Sequence, residues 1–269
     1  MKKIIATDFD GTLTIDGIPP RVVEAIERFR AAGNLFGVVT GRDKLGSYGR
    51  FSSEKKFPFD FILALNGALA MDADGNTLYE YPIRGDQPYG DTTLSRAILY
   101  RICELTGFYC GICLGDTRMD IHPDYPRGGK MLWTELTPFE DIERDVFAKM
   151  NTFSMLNTVC ENEEAAKRVT AQLLEEFGDY VFPQQNGTCI DIPVRGMDKG
   201  VGIARYAALV GVETSNIWTA GDNYNDLAML APYHGCAMAS GVDAAKEAAE
   251  FICRDIAEVV SLAMAESSD

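Results

Sequence analysis

Over the first ninety residues, short and almost unbroken apolar runs alternate with amphipathic segments. Lys3-Ile4-Ile5-Ala6-Thr7, Leu35-Phe36-Gly37-Val38-Val39 and residues 59–65 are too short for helices and too uniformly apolar for half-exposed strands. That is the pattern of strands buried on both faces of a parallel sheet. Between the first two, Pro19-Pro20 opens a segment with Val22, Ile26 and Phe29 at helical spacing, and Gly33-Asn34 closes it. Residues 69–81 read as a hairpin turning at Asp74-Gly75. The strand–helix–strand rhythm predicts an α/β fold with a doubly wound parallel sheet, which gathers its sites beyond the carboxyl ends of its strands.

From about Gly85 to Val194 the rhythm changes. A helix is predicted over 92–105 with Leu94, Ile98 and Ile102 on one face, then strands over 108–114 and 117–122 and a loop from Asp124 to Gly129. Helices over 138–147 and 163–177 and strands over 153–160, 180–183 and 188–192 complete an α+β unit. Alternation resumes with a helix over 199–209, strands over 217–220 and 235–239, and two helices ending near Ala265. The expected division is a core of residues 1–84 and 195–269 with an insertion of 85–194. The Pro/Gly-bearing segments 82–85 and 193–196 are expected to act as hinges.

The chemistry-bearing residues cluster at the predicted strand ends. The first strand runs into Asp8-Phe9-Asp10-Gly11-Thr12-Leu13-Thr14, and an extended backbone would put Asp8 and Asp10 on the same face. One such carboxylate can attack phosphorus and bind a divalent cation while the other moves a proton. Alone, an Asp-x-Asp is better explained by a solvated acidic turn, and it is the later segments that reverse the balance. The second strand delivers Thr40-Gly41-Arg42 and the third Asn66-Gly67, a pair that also makes ordinary turns. Lys199 opens a helix, where a lysine opposes the macrodipole and needs a compensating partner. A later strand ends in Gly221-Asp222-Asn223-Tyr224-Asn225-Asp226.

Charge narrows the partners. The 269 residues carry a formal net charge of −15, which repels nucleic acid and anionic lipid, so a phosphate ligand needs a local cation or a metal. A small partner is expected from charge alone. No apolar stretch approaches the roughly 18 residues of a membrane span and no leader pattern is present, so a cytoplasmic location is expected. Seven scattered cysteines fit buried thiols in a reducing compartment. Cys110-Gly111-Ile112-Cys113 sits in a predicted strand, where residues three apart face opposite ways, and with His122 and His234 the only histidines a zinc site is not expected.

Taken in order, Asp8-Phe9-Asp10-Gly11-Thr12-Leu13-Thr14, Val39-Thr40-Gly41-Arg42, Asp198-Lys199-Gly200 and the 221–226 segment resemble the four motifs of the haloacid dehalogenase superfamily. The insertion between the second and third resembles the type IIB cap of the Cof-type sugar-phosphatase branch. The resemblance implies a Rossmann-like core with a cap that selects substrate, a small phosphorylated metabolite as partner, and phosphomonoester hydrolysis through an aspartyl phosphate. It implies Asp8 as nucleophile, Asp10 as acid/base, and Thr40 and Lys199 as further catalytic residues. Mg²⁺, with Mn²⁺ as a substitute, would be held by Asp8, the Asp10 carbonyl and Asp222, with Asp226 behind. Gly41, Arg42, Asn66 and Asn225 would face phosphate or substrate. In the insertion the residues themselves put Arg127 and Lys130 on a Gly-rich loop, two cations that in so acidic a chain could meet an anionic ligand or serve as solvated surface charge. A phosphosugar mutase would share the aspartyl chemistry. A phospho-switch or a Mg²⁺-binding regulatory protein are readings of a different class, but phospho-switches lack this insertion. The chain departs from the branch at Met238-Ala239-Ser240-Gly241, where a Gly-Asn-Ala-like turn is usual.

Overall fold

The computed structural model describes residues 1–14, 18–44, 59–106, 110–115, 117–122, 130–131, 134–138, 147 and 152–265. They form two compact units, one of Met1–Tyr79 with Met197–Asp269 and one of Glu80–Gly196.

The first unit follows the alternation in the sequence: β1 (Ile4–Thr7), α1 (Pro20–Ala31), β2 (Leu35–Val39), β3 (Phe61–Ala64), β4 (Leu69–Asp72) and β5 (Thr77–Glu80). After the second unit come α2 (Lys199–Val210), β6 (Ile217–Gly221), α3 (Leu227–Leu230), β7 (His234–Met238), α4 (Asp243–Ala248), β8 (Phe251–Cys253) and α5 (Ile256–Ala265). The sheet order is β8-β7-β6-β1-β2-β3-β4-β5. It is parallel from β8 to β3 and antiparallel where β3 meets β4. Ile4, Ile5, Ala6, Val38, Phe61 and Leu63 are fully buried, as strands covered on both faces require. Successive strands run one way from β1 to β3 and the other way from β6 to β8, so β1 is the switch point where such sheets form their crevice.

Local chemistry fixes the connections. α1 buries Val22, Ala25, Ile26 and Phe29, and past its end Gly33 takes a left-handed φ of +87°. The hairpin between β4 and β5 is pinned by Asp72, whose carboxylate accepts the amides of Asp74 and Asn76 and the Asn76 side chain.

The second unit has a seven-stranded sheet in the order Lys130–Met131, Thr134–Pro138, Thr117–His122, Cys110–Leu114, Met155–Val159, Cys189–Pro193, Gln184–Asn186. The helices Leu94–Thr106 and Glu163–Phe177 share an apolar cluster with it, including Ile98, Ile102, Leu173 and Phe177 against Ile112, Leu156 and Ile190.

Several expected elements differ here. Pro138 ends a strand rather than starting a helix, and most of the expected 138–147 helix, like Arg127 and the 124–129 loop, lies outside the described residues. Residues 180–183 form no continuous strand: the Tyr180 and Val181 amides turn back onto the Phe177 carbonyl, Val181 makes a single antiparallel bridge to Val194, and the regular ladder begins at Gln184. At that edge backbone hydrogen bonds suffice, so the strand Gln184–Asn186 carries no apolar signal. β8 is three residues long and escapes a reading built on longer runs. All seven cysteines are free, six of them buried. No helix among the described residues is long and apolar enough to cross a membrane.

Candidate active site

The site grows from the carboxyl ends of β1, β2, β3 and β6. Strand geometry stops at Thr7, and the Phe9 carbonyl accepts the amides of Leu13 and Thr14, closing a turn. The extended path expected through Asp10 is therefore broken, and the two carboxylates have different surroundings. Asp8 is buried, its amide donating to the Ala220 carbonyl of β6 at 2.8 Å. The Asp10 side chain is 57% exposed.

Lys199 stands opposite Asp8. Its helix starts at the N-cap Asp198, whose side chain accepts the Val201 amide, offsetting the unfavourable position of a cation at a helix N-terminus. The Lys199 side chain is fully buried, and Nζ donates to Asp8 Oδ1 and Asp226 Oδ1, both at 2.6 Å. Burial would lower the lysine pKa, but the Asp226 and Asp8 charges outweigh it and hold Lys199 well above its usual value. Asp226 Oδ2 also accepts the amides of Asp222 and Asn223. One lysine thus serves two buried carboxylates, and Asp226 has additional donors. The shortage falls on Asp8: burial pushes its carboxyl up, Lys199 pulls it back, Asp226 pushes it up again, and it comes to rest at about 7.

Asp222 is placed by residues that the sequence did not single out. Thr12 Oγ1 donates to Asp222 Oδ1 at 2.5 Å, and Gly11, at φ +84°, lies so close that a Cβ there would sit 2.6 Å from Asp222 Oδ2. A glycine and a hydroxyl immediately after the Asp-x-Asp were the available signals. The divergent 238–241 segment also braces Asp222: Gly241 closes a turn onto the Met238 carbonyl, and the Val242 amide donates to the Asp222 carbonyl at 2.9 Å, while Ser240 is exposed. Burial raises the Asp222 carboxyl as well.

Thr40 is buried, its amide on the Leu63 carbonyl and its Oγ1 accepting the Arg42 amide at 3.2 Å, which leaves the hydroxyl proton to be donated. Gly41 and Arg42 follow it, half-buried. Asn66 is fully buried and does not form a simple two-residue hairpin turn. Leu65, Asn66 and Gly67 have successive left-handed φ values of 53°, 53° and 93°, and the Leu65 and Asn66 amides donate to the Arg42 and Thr40 carbonyls. Arg42 itself reaches Asp10: Nε and Nη2 each donate to one Asp10 oxygen at 2.7 Å. Asn225 is half-buried on the turn Tyr224–Asp226. Lys130 begins an edge strand of the second unit.

The donor set suits a hard divalent cation. Asp8, Asp222 and Asp226 each offer an oxygen within 4.8 Å of the others, against the single Lys199 charge, and oxygen-only ligation with uncompensated negative charge favours Mg²⁺ over softer metals. Both Asp226 oxygens are engaged by lysine and amides, which suits support more than direct ligation.

A family model described as haloacid dehalogenase-like hydrolase matches residues 5–264. The chain belongs to that family. Curated haloacid dehalogenase-like relatives align over almost all of it. Pyridoxal phosphate phosphatase YbhA of Escherichia coli is 26% identical over 268 residues, covering 94% of this chain and 93% of the relative. 5-Amino-6-(5-phospho-D-ribitylamino)uracil phosphatase YitU of Bacillus subtilis is 24% identical over 256 residues, covering 91% and 90%. Among solved structures, the HAD subclass IIB sugar phosphatase BT4131 superposes with a TM-score of 0.74 at 21% identity, covering 99% of both chains. A HAD/COF-like hydrolase from Plasmodium vivax gives 0.77 at 20% identity, covering 99% of this chain and 96% of that one. The haloacid dehalogenase-like fold is thus shared end to end, and the chain is an enzyme of the phosphatase kind.

Proposed function

We propose that this phosphatase is a Mg²⁺-dependent phosphomonoesterase for a small organic phosphate, with a phosphorylated sugar as the first candidate, working through an aspartyl phosphate on Asp8. The observation that carries the reading is the fully buried Lys199 ammonium held 2.6 Å from both Asp8 and Asp226. A buried lysine joined to the foremost carboxylate neutralises charge where an anionic phosphoryl group meets an anionic nucleophile. Asp8 attacks phosphorus, and the ester oxygen departs with a proton from Asp10. Water then attacks the aspartyl phosphate, with Asp10 taking its proton, and inorganic phosphate leaves. Thr40 donates its hydroxyl hydrogen to a phosphoryl oxygen, and Gly41, Asn66 and Asn225 line the same rim.

Asp8, Asp222 and the Asp10 main-chain carbonyl would hold Mg²⁺, with Asp226 fixing them from behind. When bound, the ion supplies positive charge that offsets the buried carboxylates and the phosphate together. Residues 85–194 are assigned the choice of alcohol, with Arg127 and Lys130 as its cations. The relatives named above support a small phosphate ester and differ widely in the alcohol it carries.

The test is phosphate release from a panel of sugar, nucleotide and cofactor monoesters with Mg²⁺, Mn²⁺, Ca²⁺ or excess EDTA. Turnover is expected with Mg²⁺ or Mn²⁺, inhibition with Ca²⁺, whose larger and irregular shell displaces the reacting groups, and none with EDTA or in Asp8→Asn. Full activity in EDTA, or in Asp8→Asn, would sink the reading.

A further inference from the structure

We propose that Arg42 is a positioning residue for Asp10, setting the direction of the acid/base carboxylate instead of gripping the substrate. The inference rests on the phosphomonoesterase reading above and adds a role within it. The Asp10 side chain is 57% exposed, so packing does not set its rotamer. The Arg42 guanidinium does, through two parallel bonds of 2.7 Å, from Nε to Oδ2 and from Nη2 to Oδ1, the two-pronged geometry that fixes a carboxylate plane as well as its position.

Arg42 is itself held on several sides. Its guanidinium carbon lies 5.6 Å from the centroid of the buried Phe9 ring. Its amide donates to Thr40 Oγ1 at 3.2 Å, and its carbonyl accepts the Leu65 amide at 3.0 Å. The left-handed turn after β3, held by the Arg42 carbonyl, and the turn after β1, held by its guanidinium, are thereby coupled through one residue. An exposed ion pair contributes little to stability, so its value lies in orientation. A proton donor must point at the leaving oxygen, and a misdirected carboxyl loses rate without losing binding.

The experiment measures kcat and KM for phenyl phosphate at saturating Mg²⁺ in the unchanged chain, Arg42→Ala, Arg42→Lys, Asp10→Asn and the Arg42→Ala/Asp10→Asn double variant, with denaturation midpoints alongside. Arg42→Ala is expected to lower kcat about tenfold with KM within about twofold and the midpoint nearly unmoved. Arg42→Lys, which keeps the charge and loses the fork, is expected to fall nearly as far. In the Asp10→Asn background the arginine change should cost nothing further, because a residue acting through another has no effect once that partner is gone. A tenfold loss that persists in that background, a rise in KM with kcat kept, or recovery of full kcat by lysine would overturn the proposal and return Arg42 to the substrate. Absence of Mg²⁺-dependent turnover in the unchanged chain would overturn the phosphomonoesterase reading and this inference together.

Discussion

Asp8, Lys199 and Asp226 form a buried row of two carboxylates about one ammonium, and its charge balance is measurable. In the metal-free protein the Asp8 carboxyl sits at about 7 against an ordinary 3.8. Between those values the folded chain holds a proton that the unfolded chain has released, so the contribution of Asp8 to stability falls as pH rises across that window and is level above it. In EDTA, the melting temperature of Asp8→Asn minus that of the unchanged chain should therefore grow from about pH 4 to pH 7 and then stay constant, and Mg²⁺ added to the unchanged chain should remove the trend. A difference that ignores pH would contradict this account. The acidic residues and Lys199 were legible in the sequence because each stands where an apolar run stops or a helix starts. Thr12 and the bond from Arg42 to Asp10 were not, since both depend on which way a side chain points across two turns that only the sheet brings together.

The element that organises the site is α2. Its first turn carries Lys199 and then approaches the turn after β3 backbone to backbone, where a Cβ on Gly202 would lie 2.5 Å from the Gly67 Cα; it also packs against α3, where a Cβ on Gly200 would lie 2.1 Å from the Ala228 carbonyl oxygen. In an ordinary helix interior, replacing glycine with alanine stabilises by about 1 kcal/mol. Here Gly202→Ala should instead destabilise by about 1–3 kcal/mol, the usual cost of overfilling a packed interior. It should also lower kcat, because the displaced turn supplies the amides that hold Thr40 and Arg42. Urea unfolding and phosphate release together check this, and a stabilised variant would show that the two backbones have room to part. Strands β1 to β3 and helix α1 were readable because burial on two faces, or on one, imposes a period on the sequence. The strand Gln184–Asn186, β8 and the strand end at Pro138 were not, because edge pairing is made by backbone groups that every residue type carries.

At the scale of the whole chain, a formal charge of −15 must coexist with an anionic substrate, and local cations have to overcome the general repulsion. If residues 85–194 choose the alcohol, Arg127→Ala and Lys130→Ala should each lower kcat/KM for the best organic phosphate by about tenfold, or about 1.4 kcal/mol, and should cost p-nitrophenyl phosphate much less. Equal losses on both substrates would assign these residues to catalysis or stability. The sheet order has another consequence, in the history of each molecule. β1 pairs on one side with β2, Ile4 beside Leu35, and on the other with β6, Ile4 beside Ile217. On the ribosome the first edge is covered early, while the second waits for about 200 residues, roughly 10–40 s at ordinary rates of synthesis. For most of that interval Asp8 lacks Lys199, and an apolar strand keeps an open edge of the kind that invites association with other chains. A nascent chain thus carries an incomplete site and an open apolar edge until β6 has been made and has docked on β1.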